Sequence, residues 1–389
     1  MNKGRITMNL RILLWSGFSA AALFIAIGSA WLLSLPAAPA VAAPPSITRQ
    51  EAAATVNALK PSKRQRPLVA IVGINDATET TDYLMPYGIL RRADVADVVL
   101  LAAAAGPVKL YPALKVEPDA TLAEFDARHP EGADYVVVPA MSRDDDPTVL
   151  QWLKNQASNG AMIIGVCAGA KVVAAAGLLD GKRATTHWYY LKELHQDHPL
   201  IRYVADRRLV VDGKIATTTG ITAAMPAMLT LIEAIAGRNK AQATAADLGV
   251  QEWDVRHASS AFKFTRPFAL TALANTLAFW QHERLGIGLE PGVDEVSLAL
   301  VANAWSRTYR SRAVTFADAA PIETRNGVRI IPDEVGHNRH RLQLIPAVEM
   351  RQPAKALDET LDAISHRYGA HTSEFVAMQL EYPQQDRKP

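Results

Sequence analysis

Short apolar runs, each followed by a stretch with helical spacing, constrain this chain more than any other feature. From Pro67 onward, Leu68–Val72 is apolar throughout and ends at Gly73. Tyr83–Arg92 has helical spacing, and Val95–Ala102 is a second apolar run. A short extended piece around Leu114 and Val116 is stopped by Pro118. Tyr135–Val138 and Met162–Val166 read as further buried strands, with helices over Pro147–Ser158 and Ala168–Ala176. Apolar runs without alternation are buried on both faces. Strands alternating with helices therefore predict a parallel sheet covered on both sides. Asp212-Gly213, between Leu209–Val211 and Lys214–Thr217, predicts a hairpin, and Ala223–Ala236 a long apolar helix. The expected class is α/β, a parallel-sheet sandwich that binds ligands at the carboxyl ends of its strands.

The 389 residues include one cysteine, which excludes an intramolecular disulfide and a four-cysteine zinc site. Such a thiol is either inert packing or a reactive group. Its setting is informative. Gly165-Val166-Cys167-Ala168-Gly169-Ala170 joins a strand directly to a helix of small residues. A nucleophile there sits on a tight turn above the sheet, where crowding demands small neighbours and the backbone takes positive φ. The helix N-terminus favours thiolate, and the Ala168 NH faces a developing oxyanion. The competing reading is a small core residue at a strand–helix junction.

Around this turn the chain resembles the ThiJ/PfpI family of the class I glutamine amidotransferase-like superfamily. The pattern consists of Cys167, then Ala174–Leu179, then Arg183-Ala184-Thr185-Thr186-His187-Trp188. It is nearest the isonitrile hydratases and the sensor halves of AraC-type regulators, and spans roughly residues 67–240. The family's nucleophile is followed twenty residues later by a histidine, the spacing of Cys167 and His187. Its thiol-bonding acid stands four residues before a proline, as Asp82 stands before Pro86. Arg91-Arg92-Ala93, Pro107-Val108 and Pro118-Asp119 follow the same pattern. The resemblance implies a flavodoxin-like fold, with Cys167, Asp82 and His187 as catalytic residues. Ala168, Met141, Ala140, Gly165, Trp188, Thr219 and Gly220 would line the oxyanion site and pocket. Two departures stand out. Pro139-Ala140-Met141 replaces the family's Gly-Gly, and three aspartates follow in Ser142–Asp146, where Asp146 is placed to cap a helix.

A net charge of +2, from 41 basic and 39 acidic residues, gives no support for a nucleic-acid partner. There is no phosphate-binding glycine loop and no metal motif, so no cofactor is expected. His195 and His198, beside Asp197 and Pro199, read as solvated loop rather than ligands.

At the N-terminus, Lys3, Arg5 and Arg11 precede a segment from Ile12 to Leu35 without a charged residue. A bilayer core needs about 20 apolar residues as a helix. The segment predicts an inner-membrane anchor through residues 12–35, with the folded part on the extracytoplasmic, periplasmic side. The alternative is a signal peptide cleaved near Ala42 after Ala40-Val41-Ala42, which would release the protein to the periplasm. Residues 1–42 are thus one unit and 43–66 a linker with a short helix over Gln50–Leu59.

The family-like domain is placed at 67–245. After Gly249 no helix-turn-helix pair is evident. Asp294–Asp333 instead reads as a partial copy of Asp82–Asp119 with a two-residue insertion. Pro321-Ile322 matches Pro107-Val108, and Val328, Ile330, Pro332 and Asp333 match Leu114, Val116, Pro118 and Asp119. Leu342–Ala347 resembles Tyr135–Ala140. Residues 255–389 are therefore expected to form a degenerate half-domain with extra helices over Pro267–Gln281 and Lys355–Tyr368. It would replace a homodimer partner as an intrachain pseudo-dimer, although a homodimer also remains open. The function implied by the resemblance is cysteine-dependent hydrolase or lyase chemistry on a small electrophile. The alternative is a non-catalytic small-molecule or redox sensor.

Overall fold

The structure is a computed structural model and describes residues 23, 26–37, 43–336, 342–345 and 352–383. Its main sheet is built around β1 (Leu68–Gly73), which lies between β2 (Asp97–Ala102) and β4 (Tyr135–Val138). β3 (Ala120–Thr121) extends it beyond β2. On the other side follow β5 (Met162–Gly165), β7 (Ile215–Thr218) and β6 (Leu209–Asp212). Neighbours run parallel except the β6–β7 hairpin. This is the expected α/β sandwich with a flavodoxin-like sheet. Every residue of β1, β4 and β5 is buried, which is why these strands read as unbroken apolar runs.

Successive residues of β1 serve opposite cores. Val69 and Ile71 pack with Leu84, Leu90 and Met228 from α1 (Thr80–Ala93) and α4 (Ala224–Ala236). Ala70 and Val72 pack with Trp152 and Val172 from α2 (Pro147–Ser158) and α3 (Gly169–Ala175). Each such aliphatic side chain contributes roughly 1.5–3 kcal/mol on burial. Asp146 caps α2 through the NH groups of Thr148 and Val149, as its place before Pro147 predicts. The helix expected over Gln50–Leu59 spans Arg49–Ala58.

Beyond residue 280 a second parallel sheet forms from β8 (Glu283–Gly288) and β9 (Ser311–Ala317), connected by α5 (Glu295–Ser306). Glu334–Val335 flanks β9 and Gln343–Leu344 flanks β8. This spatial order is that of β3, β2, β1 and β4. Matching residues do matching jobs. Asp119 accepts from the Leu100 NH at 2.7 Å, and Asp333 from the Thr315 NH at 2.8 Å. Arg329–Ile330 pairs antiparallel with Lys115–Glu117, placing Ile330 opposite Val116. The helix expected over Pro267–Gln281 runs from Arg266 to Leu277, and that over Lys355–Tyr368 is α6 (Pro353–Tyr368). An unexpected last helix, α7 (Ala370–Leu380), follows. Of the Leu342–Ala347 segment, residues 346 and 347 lie outside the described residues.

Helices α1 and α5 pack on each other through reciprocal contacts. Glu79 caps α1 through the Asp82 NH, and Asp294 caps α5 through the Ser297 NH. Arg307 Nη2 reaches Glu79 Oε1 at 2.9 Å, and Arg92 Nη2 pairs with Asp294 Oδ2. Each arginine follows its helix's cap by the same distance (92 − 79 = 307 − 294), so the contact has two-fold character. The structure corrects one detail of the sequence comparison. Asp294 corresponds to Glu79, not Asp82, because the capping position fixes the register of the helices.

The expected membrane-spanning helix is also corrected. Among the described residues no helix is long and apolar enough to cross a membrane. Residues 12–22, 24 and 25 lie outside the described residues, as do 38–42 with the expected cleavage site. The end of the apolar segment is held against the folded body. Arg266 donates through Nε to the Leu32 carbonyl at 3.2 Å and through Nη2 to that of Leu33 at 2.8 Å. The Trp31 ring lies 6.1 Å from Phe264. Carbonyls that close a helix onto a surface arginine are not set to enter hydrocarbon. The inner-membrane anchor, with the folded part held on its periplasmic side, falls with that helix.

The close approach of α1 and α5 is testable at Gly88. A Cβ there would lie 2.4 Å from Glu295 Oε1 and 2.5 Å from Val296 Cγ2. Gly88→Ala should destabilise the protein by about 1–3 kcal/mol through overpacking. Urea unfolding would measure this; an unchanged midpoint would mean the helices do not pack as described.

Candidate active site

Cys167 ends the turn after β5 with φ 57°, a left-handed conformation costing a non-glycine residue about 1–3 kcal/mol. Threonines from neighbouring segments hold it there. The Cys167 NH donates to Thr218 Oγ1 at 3.0 Å, and Thr186 Oγ1 donates to the Cys167 carbonyl at 3.1 Å. The elbow expected from the small-residue run is therefore present, with Gly165 closing β5 and Ala168 leading into α3. The Ala168 NH acts on the thiol and favours its ionised form.

Asp82 lies in the first turn of α1 and is fully buried. Its Oδ2 accepts from the Ala140 NH at 3.1 Å, so that NH is engaged by Asp82 rather than open to an oxyanion. Its Oδ1 has no hydrogen-bond partner within strict geometry, yet its carboxyl interacts with the Cys167 thiol. Burial, then the charge of Glu79, pushes the Asp82 carboxyl well above the usual carboxylate range. The thiol is pushed up as well, first by burial and then by Asp82, Glu79 and Glu381. This corrects the expectation of a helix-stabilised thiolate. Enclosure at 4% exposure among three carboxylates outweighs one short helix.

Glu79 was not singled out in the sequence. It accepts from Thr81 Oγ1 at 2.6 Å and the Asp82 NH at 2.7 Å, and from Asn303 and Arg307 of α5 and its end. Arg307 is the positive charge that opposes the rise at Asp82. The second sheet's unit thus contributes directly to the electrostatics around Cys167.

His187 is close in the chain to the elbow's partners, but both its ring nitrogens are engaged. Nε2 meets the Gln379 carbonyl at 2.9 Å, and Nδ1 accepts from the Tyr189 NH at 3.2 Å. The Nε2–H tautomer follows, and burial lowers the imidazole to about 4, so the ring is neutral. Trp188 donates through Nε1 to the Met378 carbonyl at 2.9 Å and packs edge-on against Phe268. Met141 forms an isolated bridge with Thr78, at the edge of the buried chamber that Cys167, Asp82 and Glu79 make up. Thr219 and Gly220 follow β7 and face Glu381, a buried residue at the end of α7. Glu381 accepts from the Trp188 NH at 2.7 Å and from the Gly220 NH. Burial raises its carboxyl to about 7. The triple aspartate loop also finds a partner, since Asp144 and Glu193 both pair with Lys171 at 2.7 Å. Among the described residues no three His, Cys, Asp or Glu side chains cluster to hold a metal.

A cysteine at positive φ on the strand-to-helix turn of a parallel sheet, with a buried acid beside it, defines an α/β protein with an elbow-type turn. The DJ-1/PfpI family pattern matches residues 69–234. The chain is 34% identical to the isonitrile hydratase of Pseudomonas putida over 166 residues, covering 41% of this chain and 69% of that protein. It belongs to the DJ-1/PfpI family. It is also 33% identical to the HTH-type transcriptional regulator CdhR of Pseudomonas aeruginosa, covering 36% of this chain and 41% of the regulator. The crystal structure of Drosophila melanogaster DJ-1beta aligns with a TM-score of 0.44 and 25% identity, over 48% of this chain and all of that one. The family includes an isonitrile hydratase alongside domains of transcriptional regulators.

The raised Glu381 carboxyl has a measurable signature. Between about 4.5 and about 7 the folded protein holds a proton on Glu381 that the unfolded chain has released. Stability from this group is therefore present at low pH and falls as pH rises through that window, by up to about 1.4 kcal/mol per pH unit. The neutral His187 and His257, both lowered to about 4, oppose this slope. Glu381→Gln should remove the downward component, so that the variant's stability relative to wild type improves from pH 5 to pH 7. Parallel pH profiles from denaturant unfolding would contradict the assignment.

Proposed function

We propose that the chain performs cysteine-dependent hydrolase or lyase chemistry on a small electrophile at Cys167, with Asp82 managing the proton. The observation that carries this reading is the buried Asp82 carboxyl beside a cysteine held at positive φ. A strained turn and an uncompensated buried carboxyl both cost stability, and such costs concentrate at functional sites. Sγ adds to the electrophilic carbon while its proton passes to Asp82, whose raised basicity suits that transfer. Negative charge then develops on the substrate heteroatom, facing the Ala168 NH, with the Met141 NH as the second proposed donor. Asp82 returns the proton to that atom. Water displaces the sulfur, which recovers a proton and leaves the hydrated or hydrolysed product. With a glyoxal this gives the hydrate by way of a hemithioacetal. With an isonitrile the electron pair develops on the attacked carbon, which takes the proton from Asp82 to give a thioimidate that water converts to the formamide. With an amide the returned proton goes to the nitrogen, the amine leaves, and water hydrolyses the resulting thioester. His187 serves it as a positioning residue, holding the 186–190 turn against α7.

We also read residues 255–389 as a degenerate second half-domain that takes the place of a homodimer partner. The repeated strand order and the reciprocal Glu79–Arg307 and Asp294–Arg92 pairs support it. A second reading of the site, a small-molecule sensor, is favoured by the enclosure of Cys167 and its raised thiol, which count against the redox form of that reading.

Two measurements separate the readings. Cys167→Ser should keep the fold yet lose turnover at least a hundredfold in a screen of isonitrile, glyoxal and amide substrates, whereas a sensor would keep its ligand affinity. The pH dependence of iodoacetamide alkylation should place the wild-type thiol above the free-cysteine value of about 8.5. Asp82→Asn should move it down by removing a neighbouring negative charge. A thiol indifferent to Asp82 would sink the proton-transfer role.

A further inference from the structure

Glu381 is a costly residue to place where it is. Its side chain is fully enclosed and its backbone is left-handed at φ 51°. The carboxylate is received as a ligand would be. It accepts from the backbone NH groups of Trp188 and Gly220, and the Thr219 hydroxyl adds a further hydrogen bond. Gly220 leaves the space this needs, since a Cβ there would lie 2.7 Å from Glu381 Cβ and 2.8 Å from its Cδ. His257 Nε2 stands 3.8 Å from Oε2, and the more distant Arg208 adds positive potential.

This seat belongs to the Cys167 chamber. Thr218, next to Thr219, takes the Cys167 NH, and Thr186, two residues before Trp188, donates to the Cys167 carbonyl. The charge of Glu381 acts directly on the thiol. The segment bearing Glu381 is an end, not a core strand. Residue 381 follows the last turn of α7, anchored by the Met378 and Gln379 carbonyls to Trp188 and His187.

We propose that the NH groups of Trp188 and Gly220, with the Thr219 hydroxyl, form a carboxylate-binding subsite in the Cys167 chamber. Glu381 occupies it as a tethered surrogate and gives way to a small substrate bearing its own carboxylate beside the electrophilic carbon. The inference deepens the thiol-chemistry reading and rests on it for the word substrate, but the subsite itself can be tested without the thiol. Two backbone donors converging on one anion recognise a planar carboxylate without needing a lysine or arginine.

The test uses the full chain. Glu381→Ala empties the seat, and acetate is the probe. Its melting temperature should rise saturably with acetate and not with chloride at equal ionic strength, while wild type, whose seat Glu381 occupies, needs a higher acetate concentration for the same rise. No acetate-specific rise overturns the subsite. Glu381→Gly, which also empties the seat and suits the left-handed backbone at φ 51°, replaces the Ala variant if the latter does not fold. Wild type supplies an independent arm. Alkylation of Cys167 should saturate with iodoacetate, which carries a carboxylate, and remain linear with neutral iodoacetamide; linear kinetics with both reagents count against the proposal. In Glu381→Ala, alkylation by iodoacetamide should be about tenfold faster and slowed by acetate. A thiol inert to both reagents in a variant that still shows the acetate-dependent melting rise would overturn the thiol chemistry while leaving the carboxylate seat standing.

Discussion

The buried contact between Glu79 and Arg307 is the constraint on which the site depends. Glu79 caps α1 and thereby sets the position of Asp82, three residues later. Arg307 and Asn303 hold the Glu79 carboxylate from the other side, so its charge is met by a fixed cation rather than by water. Pairs of this kind are expensive to desolvate, and removing one partner leaves the other uncompensated. Here the cost secures a defined potential around Asp82 and Cys167. Without Arg307, two carboxylates and a thiol would share a low-dielectric chamber with no opposing charge close by.

The charge pattern also explains the resting state of the thiol. A short helix N-terminus favours the thiolate, but its effect falls off within a turn and is modest beside full burial. Enclosure removes water from Cys167 and Asp82 alike; the charge of Asp82 disfavours the thiolate, whereas the thiol's interaction with Asp82 favours the carboxylate. The proton between them is therefore a shared resource whose location depends on what else enters the chamber. A ligand that brings positive potential, or expels Glu381, changes that balance at once.

Much of the fold was legible because its signals are local. The unbroken apolar strands, the Asp212-Gly213 hairpin and the Asp146-Pro147 cap are each written within a few residues. The elbow was legible for the same reason, since crowding around Cys167 imposes small neighbours in the adjoining sequence. Asp82 could be found through its distance from Pro86. Glu79, Arg307 and Glu381 could not, because their partners lie far along the chain and no periodicity links them. Nor did the sequence disclose α7, or that Glu79 rather than Asp82 is the counterpart of Asp294. Residue identity suggested one register and helix capping enforces another. The apolar N-terminal segment was misread because hydropathy alone does not register the clamp formed by Arg266 on its last carbonyls.

Arg307, Asn303 and Glu381 all belong to the same chain as Cys167. When such groups come from a separate subunit, the completeness of the chamber depends on protein concentration, and dilution dismantles it. Here the corresponding association is intramolecular, so the effective concentration of the completing half is fixed by the polypeptide itself. The chamber is equally complete at any abundance of the protein. Each substitution in the completing half also changes one chamber only, rather than two related by symmetry. Under the proposed reading of residues 255–389 as a degenerate second half-domain, the two halves are free to diverge, one keeping a thiol and the other supplying only the charges that surround it.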